Sequence, residues 1–391
     1  MTGMNANTAL LSTLRRRHVL VAALLGACST GCTMVLDPDA LAQGYDEGVQ
    51  MIASRQCNPG NILVADGHVY WTTNYTGVTD EDACTGPEST AIRRLGLGST
   101  DEPQNIATKN LDGAMNATRP WGFTVEGGDV YWVTETEKVC TAKVDDVDQV
   151  CSPPTSLPTP CKSYGIASTN DRVYFHTGNC DVAGATEIRS YATEAHVSSE
   201  LGVDVDGSFV VWMGVVPVDG SSEDAVWLAW IDKCTGTKMN RMNVARLPGP
   251  TATWSRCTNS DAVFTGAIDA GGLYWTNQDE GTVYMLPLPG GVDANVEPTK
   301  LVVGLTEPGG VALDAKHVYV ASDGFGGSVL HFPRGASSPL EAEALGVVAS
   351  GRQDAHGGKG FPSRIAAQDP EWLYWLVNEG GNAVERARKP D

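Results

Sequence analysis

Ten cysteines are the residues whose type and spacing most directly predict chemistry. Cys161 and Cys180 are equidistant from residues 170–171, and Cys140 and Cys151 are equidistant from residues 145–146. Residues placed symmetrically about a turn lie opposite each other on antiparallel strands, so both pairs are predicted disulfides. Cys57–Cys84 and Cys234–Cys257 are then the leftover neighbours, and we expect them to pair. Metal binding is the rival interpretation, but no C-x-x-C and no histidine at ligand spacing accompanies these cysteines.

The N-terminus has the features of an export signal. Arginines at 15–17 precede an apolar run at 19–27, which is too short to cross a bilayer. A basic segment followed by a short apolar run is typical of a secretory signal. Small residues precede Cys28 and Cys32, and this segment resembles a bacterial lipobox. The resemblance implies a diacylglyceryl group on the cysteine sulfur, and export would permit disulfides.

Two cysteines compete for the lipid. Lipidation at Cys28 leaves an odd number of other cysteines, whereas lipidation at Cys32 leaves an even number that can all pair. Leu25, three residues before Cys28, suits a lipobox better than Ser29 does before Cys32. We favour Cys28 and keep Cys32 open. Residues 1–27 are then the signal (1–31 for Cys32), residues 28–47 a tether, and residues 48–391 the folded body.

Charge and composition exclude several classes of protein. The net charge of -20 argues against binding to nucleic acid or to anionic lipid. A hydrophobic fraction of 42% is sufficient for a full core. The sequence contains no G-x-S-x-G, H-E-x-x-H, P-loop or dinucleotide motif. His68, His317 and His356 are expected in surface turns or loops, and we expect no cofactor.

One triplet recurs through the body of the chain. Its middle residues are 37 to 63 positions apart, which indicates one unit with variable loops. The copies are Val69-Tyr70-Trp71, Val130-Tyr131-Trp132, Val173-Tyr174-Phe175, Val210-Val211-Trp212, Leu273-Tyr274-Trp275, Val318-Tyr319-Val320 and Leu373-Tyr374-Trp375.

The segment before each triplet repeats as well. Residues 310–314 show its form, which is a glycine, an apolar, a small and an apolar residue and then an aspartate, followed by a turn and the triplet. This pattern predicts a strand, a tight turn and a second strand. The recurring acids, Asp269, Asp314 and Asp369 among them, are predicted to bind backbone N–H groups of the turn, which makes them structural rather than catalytic.

The clearest copy continues into two further strands, at 282–287 and 300–304. Four antiparallel strands in about 45 residues are typical of one propeller blade. After Trp375 only one more strand fits, near 382–388. Residues 50–54 are similar to 346–350, the outer strand before the last triplet, so we expect the N-terminal strand to complete the last blade. That closure would leave no exposed sheet edge.

The triplets resemble those of the YWTD/YWTN-type (NHL-like) β-propellers of secreted bacterial proteins, most closely at residues 274–290. The resemblance implies an all-β ring of six or seven blades, and seven copies favour seven. In the fourth copy Val211 replaces the tyrosine. Trp212 is expected in the core, and Trp227, Trp254, Cys234 and Cys257 in a stapled hairpin that projects from the ring.

Propellers usually bind ligands where the loops that enter each innermost strand surround the central channel. Five residues of these loops are candidates because arginine and aromatic side chains suit recognition. They are Arg119, Trp121, Tyr164, Glu307 and Arg364.

Two hypotheses of function follow. We favour a monomeric binding scaffold for a protein, peptide or glycan, attached by its lipid to the outer membrane or cell surface. The alternative is an enzyme that resembles lactonase-type or streptogramin-lyase propellers and uses a divalent cation. No residue set of those enzymes can be matched in this sequence.

Overall fold

The computed structural model describes residues 48–54, 56, 59–73, 92–99, 101–109, 120–134, 139–145, 149–150, 165–169, 172–178, 186–192, 197–204, 212–218, 226–234, 239–247, 254–258, 265–288, 295–322, 327–336, 339–350, 361–378 and 383–390. The chain divides into units 1–44 and 45–391, and all described residues belong to the second. The predicted signal, tether, Cys28 and Cys32 therefore lie outside the described residues.

The described strands form seven sheets, numbered here along the chain. The first contains β2 (Ile62–Ala65), β3 (His68–Thr72), β4 (Ile92–Gly96) and β5 (Gln104–Lys109). The second contains β6 (Pro120–Glu126), β7 (Asp129–Thr134) and β8 (Val139–Lys143), while β9 (Gln149–Val150) pairs in parallel with β5. The third contains β10 (Ile166–Thr169), β11 (Arg172–Gly178), β12 (Thr186–Ala192) and β13 (Val197–Asp204).

The fourth sheet contains β14 (Trp212–Pro217), β15 (Val226–Lys233), β16 (Asn240–Leu247) and β17 (Trp254–Cys257). The fifth contains β18 (Gly266–Asp269), β19 (Gly272–Asn277), β20 (Thr282–Pro287) and β21 (Thr299–Val303), with β25 (Leu340–Glu341) in parallel at its edge. The sixth contains β22 (Pro308–Leu313), β23 (His317–Ser322), β24 (Ser328–Pro333) and β26 (Gly346–Ala349), and a 3-10 turn at Ala342–Ala344 precedes β26. The seventh contains β27 (Phe361–Ala366), β28 (Trp372–Asn378) and β29 (Ala383–Arg388), joined by β1 (Gln50–Ala53).

Contacts between neighbouring sheets arrange them around one axis. The first strands contact each other in the order β6, β10, β14, β18, β22, β27 and β2, and β3 of the first sheet contacts β6 of the second. Antiparallel sheets arranged radially in this way form a β-propeller. The predicted all-β propeller fold is therefore confirmed. Among the described residues, no helix is long and apolar enough to span a membrane.

The N-terminal strand closes the ring as predicted. β1 pairs antiparallel with β29, with Gln50 opposite Arg386 and Met51 opposite Glu385. The Gln50 side-chain oxygen also accepts a hydrogen bond from Arg386 Nε at 3.0 Å. The first and last strands of the body thus share one sheet, so β29 does not remain an open edge.

The triplets lie in the second strand of six sheets and pack neighbouring sheets together. Successive residues of a strand face opposite sides, so Tyr274 and Trp275 pack against different neighbours. Trp275 joins the apolar cluster shared with the fourth sheet, and Tyr274 joins the cluster shared with the sixth. The aromatic residues of the triplets are buried in these six copies. The repeated triplets therefore serve to pack neighbouring sheets against each other.

The recurring acids fix the turn between the first and second strands, as predicted. Asp314 Oδ1 accepts hydrogen bonds from the backbone N–H groups of Lys316 and His317, at 2.8 and 2.7 Å. Its Oδ2 accepts a hydrogen bond from the Tyr319 hydroxyl at 2.7 Å. Burial alone would raise the pKa of this carboxyl, but these hydrogen bonds together with Lys389 lower it to about 2. The same contact joins Asp369 to the Tyr374 hydroxyl at 3.3 Å in the seventh sheet.

Cations from the next sheet reach two of these acids. Arg334, at the end of β24, donates a hydrogen bond to Asp269 of the fifth sheet at 2.7 Å, and it lies 5.5 Å from the Tyr274 ring centroid. Lys389, after β29, lies 3.1 Å from the Asp314 carboxylate of the sixth sheet. Both interactions join adjacent sheets at the same level of the ring.

The fourth copy of the repeat was wrongly placed by the sequence analysis. Trp212 begins β14, the first strand of the fourth sheet, and the second strand is β15. Residues 228–230 of β15, Leu-Ala-Trp, pair with β14 at the position where a triplet is expected. Alanine replaces the tyrosine there, so the sequence pattern of the triplet is not recognisable. Trp227 and Trp254 consequently belong to β15 and β17, and no hairpin built from these residues projects from the ring.

The cysteine predictions have mixed outcomes. Cys234 and Cys257 form a disulfide with a Cα–Cα distance of 5.9 Å, as predicted. Cys140 is also disulfide-bonded. The hairpin expected about residues 145–146 is not formed by the described residues, because β9 pairs with β5 instead of β8. Cys57, Cys84, Cys151, Cys161 and Cys180 lie outside the described residues.

Candidate functional site

A central channel of about 650 Å³ runs along the axis of the ring. The first strand of every sheet contributes to its wall, from β2 through β27. This volume lies within the range of small-molecule and peptide side-chain pockets. The channel is therefore a candidate site for a ligand.

One end of the channel is formed by the beginnings of the first strands. Asn61 precedes β2, Trp212 begins β14, Thr265 precedes β18 and Arg364 lies in β27, and all four line the channel. We call these four residues the mouth. Their amide, hydroxyl, indole and guanidinium groups lie around one opening, and the Thr265 hydroxyl donates to the backbone oxygen of Gly309 at 3.5 Å.

Two glycines make room for the Trp212 indole. A Cβ at Gly214 would lie 2.6 Å from the Trp212 ring, and a Cβ at Gly266 would lie 2.9 Å from it. The ring therefore lies against two adjacent first strands, β14 and β18, at positions where any larger residue would displace it. No described residue accepts a hydrogen bond from its indole N–H. The mouth thus has an aromatic residue whose donor is free for a ligand.

The wall and the opposite end are built differently. Along the wall, Thr124 of β6 and Ser168 of β10 share a 2.6 Å hydrogen bond between neighbouring sheets. At the opposite end, Asp269 and Arg334 are bound to each other, and Arg334 also donates to the backbone oxygen of Asp314 at 3.1 Å. These charges satisfy one another, whereas the mouth retains an unused donor.

The predicted mouth residues have different outcomes. Arg364 is half-buried and lines the channel. Glu307 is exposed immediately before β22 and is not among the channel residues. Trp121 lies in β6, but its side chain is outside the described set, and Arg119 and Tyr164 lie outside the described residues altogether. Sequence reasoning missed Asn61, Thr265 and Trp212 because nothing in their local patterns separates them from ordinary strand ends.

The four histidines that the structure describes occupy buried or half-buried positions. His68 and His317 begin β3 and β23 and are half-buried, which corrects the expected surface turns. The His317 ring packs edge-on against His331, with 5.0 Å between centroids. His356 lies outside the described residues. Within the described ranges, no group of three or more His, Cys, Asp or Glu residues is placed to hold a metal ion.

Comparison with known proteins yields structural similarity only. No protein-family model and no curated protein matches the chain. Among solved structures, YCF48 bound to D1 peptide superposes with a TM-score of 0.55 at 11% identity, covering 89% of this chain and 96% of that one. Hydrazine synthase of Kuenenia stuttgartiensis has a TM-score of 0.54 at 12% identity, covering 85% and 96%.

A third similar structure is the extracellular domain of the putative one component system BT4673 from B. thetaiotaomicron. Its TM-score is 0.53 at 11% identity, and the match covers 88% of this chain and 40% of that one. At such identities the similarity shows the propeller fold and nothing about activity. The proteins named include binding components and enzymes, which accords with the rule that a fold does not determine a function.

Proposed function

We propose that this protein is a binding scaffold whose channel mouth recognises an extended peptide segment of a partner protein. The observation that carries the proposal is the unpaired Trp212 indole N–H at the opening of the channel, whose wall Arg364 also lines from another sheet. Tryptophan and arginine are the residues most enriched where binding energy concentrates. Peptide carbonyl oxygens are suitable acceptors for the indole and guanidinium donors.

The rigid ring supports this proposal energetically. Trp212 is held by the shapes of Gly214 and Gly266, and the wall strands are fixed in sheets, so little freedom is lost when a ligand binds. One similar propeller, YCF48, is described with a bound peptide. That description concerns YCF48, and it supports the choice of peptide over glycan as the first ligand to test here.

The proposal includes seven blades and a lipid anchor. Seven first strands contribute to the channel wall, and β6–β8 would be the blade whose fourth strand is not among the described strands. The repeated triplets support kinship with the YWTD/YWTN-type propellers. We further propose export and lipidation at Cys28, with Cys32 as the alternative, because small residues precede each after a short apolar run. Mass spectrometry of the mature N-terminus distinguishes the two.

Panning of a random-peptide display library on the purified full chain tests the proposed function. We expect enrichment of peptides that no longer bind when Trp212→Phe removes the indole N–H but keeps an aromatic ring. The matched control is Trp372→Phe, because Trp372 lies in β28 and does not line the channel. Failure to enrich any peptide, or equal binding by both variants, would contradict a peptide site at the mouth.

A further inference from the structure

A second cavity, of about 340 Å³, lies between the fourth and fifth sheets. β16 and β17 line it from one side, and β19, β20 and residues 297–300 line it from the other. It shares no lining residue with the channel. The Cys234–Cys257 disulfide ties β17 to the end of β15, so this wall of the cavity is covalently fixed.

Two largely buried residues that line this cavity carry hydrogen-bond donors with no acceptor among the described residues. Trp275 and Asn277 are 3% and 2% exposed, and as alternate residues of β19 they face the same side. Asn277 Oδ1 accepts the backbone N–H of Glu280 at 3.1 Å, which leaves the side-chain NH₂ as the unused group. No described residue accepts a hydrogen bond from that NH₂ or from the Trp275 indole N–H.

Equivalent tryptophans elsewhere in the ring are satisfied. The Trp71 indole N–H donates to Gln56 Oε1 at 2.9 Å, and the Trp375 indole N–H donates to Glu385 Oε2 at 2.9 Å. In the fifth sheet the residue opposite Trp275 is Tyr284, which stacks on the indole at 5.5 Å and supplies no acceptor. Neither Trp275 Nε1 nor Asn277 Nδ2 belongs to the fully buried unsatisfied atoms of the described residues, so both donors are accessible from the cavity to an acceptor oxygen of a ligand.

The charged groups around the cavity balance one another. Arg256 forms an ion pair with Glu297, and Lys300 lies 3.3 Å from Glu280, which also accepts the Tyr284 hydroxyl proton in a hydrogen bond. Hydrogen bonding to Glu280, after burial, raises the pKa of Tyr284, so that hydroxyl remains a donor. The two cations and two carboxylates around the cavity sum to zero net charge. The cavity therefore does not favour a charged ligand over a neutral one.

We propose that this cavity is a binding site for a neutral saccharide. A sugar offers oxygen acceptors to Trp275 and Asn277, hydroxyl donors to the carboxylates, and apolar C–H groups to the Trp254 and Trp275 rings, without net charge. A volume of about 340 Å³ accommodates one or two sugar rings. This site is independent of the peptide site proposed at the channel mouth, so either can fail alone.

Asn277→Asp tests the site at one atom. The substitution keeps the oxygen that accepts the Glu280 N–H but replaces the unused NH₂ donor with an acceptor. Gln278→Glu is the matched control, because it adds the same charge in the same turn at a residue that does not line the cavity. The full chain is assayed by ligand-observed NMR against neutral hexoses, N-acetylhexosamines and their disaccharides, with the corresponding uronic acids as charged comparisons.

We expect at least one neutral sugar to bind wild type and Gln278→Glu, and to bind Asn277→Asp at least tenfold more weakly. Thermal melts of the free proteins verify that Asn277→Asp is folded. The proposal is overturned if no neutral sugar binds at millimolar concentration, if uronic acids bind in preference, or if Asn277→Asp binds as well as wild type. Loss of sugar binding in Trp212→Phe with retention in Asn277→Asp would assign the sugar to the channel instead.

Discussion

His176 shows how a single buried side chain links acidity to stability. It is fully buried in β11, and neither ring nitrogen has a hydrogen-bond partner among the described residues. Burial lowers its pKa to about 4, because the charged imidazolium would lose its hydration. In an unfolded chain the same histidine would titrate near its ordinary value, so acid favours unfolding.

We predict that His176→Leu reduces the acid sensitivity of the fold. In wild type the contribution of neutral His176 is fully present above pH ~6.5 and is lost progressively as pH falls toward 4, by up to about 3 kcal/mol. Leucine occupies the corresponding position in β28, as Leu376, so the substitution suits the strand. Urea unfolding at pH 7.5 and pH 5 measures the difference. Identical pH dependence of the unfolding free energy in both proteins would refute this account.

Residue-scale prediction from the sequence succeeded where a role recurs. Asp314 and Asp369 appear at the same offset before each triplet, so their turn function was visible in the repeat itself. Trp275 and Asn277 carry no such signal, because their unused donors depend on Tyr284 across the sheet and on the fourth sheet beside them. Whether a buried side chain finds a hydrogen-bond acceptor depends on residues of neighbouring strands, so the local sequence cannot predict it.

At the scale of elements, the channel mouth depends on the close approach of β14 and β18. Gly214 and Gly266 leave the space that the Trp212 ring fills. A Cβ added at Gly214 would also lie only 2.8 Å from the Ile268 side chain. Interiors packed at this density accept no extra methyl group without displacement. The orientation of Trp212 is therefore a consequence of two glycines on different strands.

We predict that Gly214→Ala displaces Trp212 and destabilises the protein by roughly 1–3 kcal/mol through overpacking. Peptide binding at the mouth should weaken in parallel. Gly335→Ala is the control, because a Cβ there meets no atom within 4 Å. Thermal melts and peptide titrations of both variants measure the two effects. An unchanged melting temperature for Gly214→Ala would show that the Trp212 ring is not confined as described.

The fourth sheet explains where sequence prediction of elements failed. Six triplets mark second strands correctly because their aromatic residues are buried between neighbouring sheets. In β15 the residue at position 229 is alanine and not tyrosine. The sequence pattern therefore matched residues 210–212 best, and the fourth triplet was assigned to β14 instead of β15. The error followed from the loss of one recognisable side chain, while the four-strand architecture of the sheet remained intact.

At the scale of the whole molecule, ring closure depends on β1. Met51 packs in the apolar cluster shared by the sixth and seventh sheets, Ala53 packs in the cluster shared by the seventh and first sheets, and β1 covers the edge of β29. This closure was predictable from the likeness of residues 50–54 to 346–350. The channel volume was not, because it depends on how many sheets surround the axis and on which side chains fill the wall.

We predict that deleting residues 1–54 lowers the unfolding free energy by about 3 kcal/mol relative to deleting residues 1–47, through lost strand pairing and apolar burial. The shorter deletion removes the predicted signal and tether but leaves β1 in place. Urea denaturation of the two proteins measures the difference. Equal stabilities would show that β1 does not close the ring in solution.

The central claim is that the channel mouth binds a peptide through Trp212 and Arg364. Isothermal titration of a panned peptide with wild type, Trp212→Phe, Arg364→Gln and the control Trp372→Phe measures it most directly. We predict that each mouth variant binds at least tenfold more weakly, a loss of about 1.4 kcal/mol or more, and that the control binds as wild type. Equal dissociation constants for all four proteins would contradict the claim.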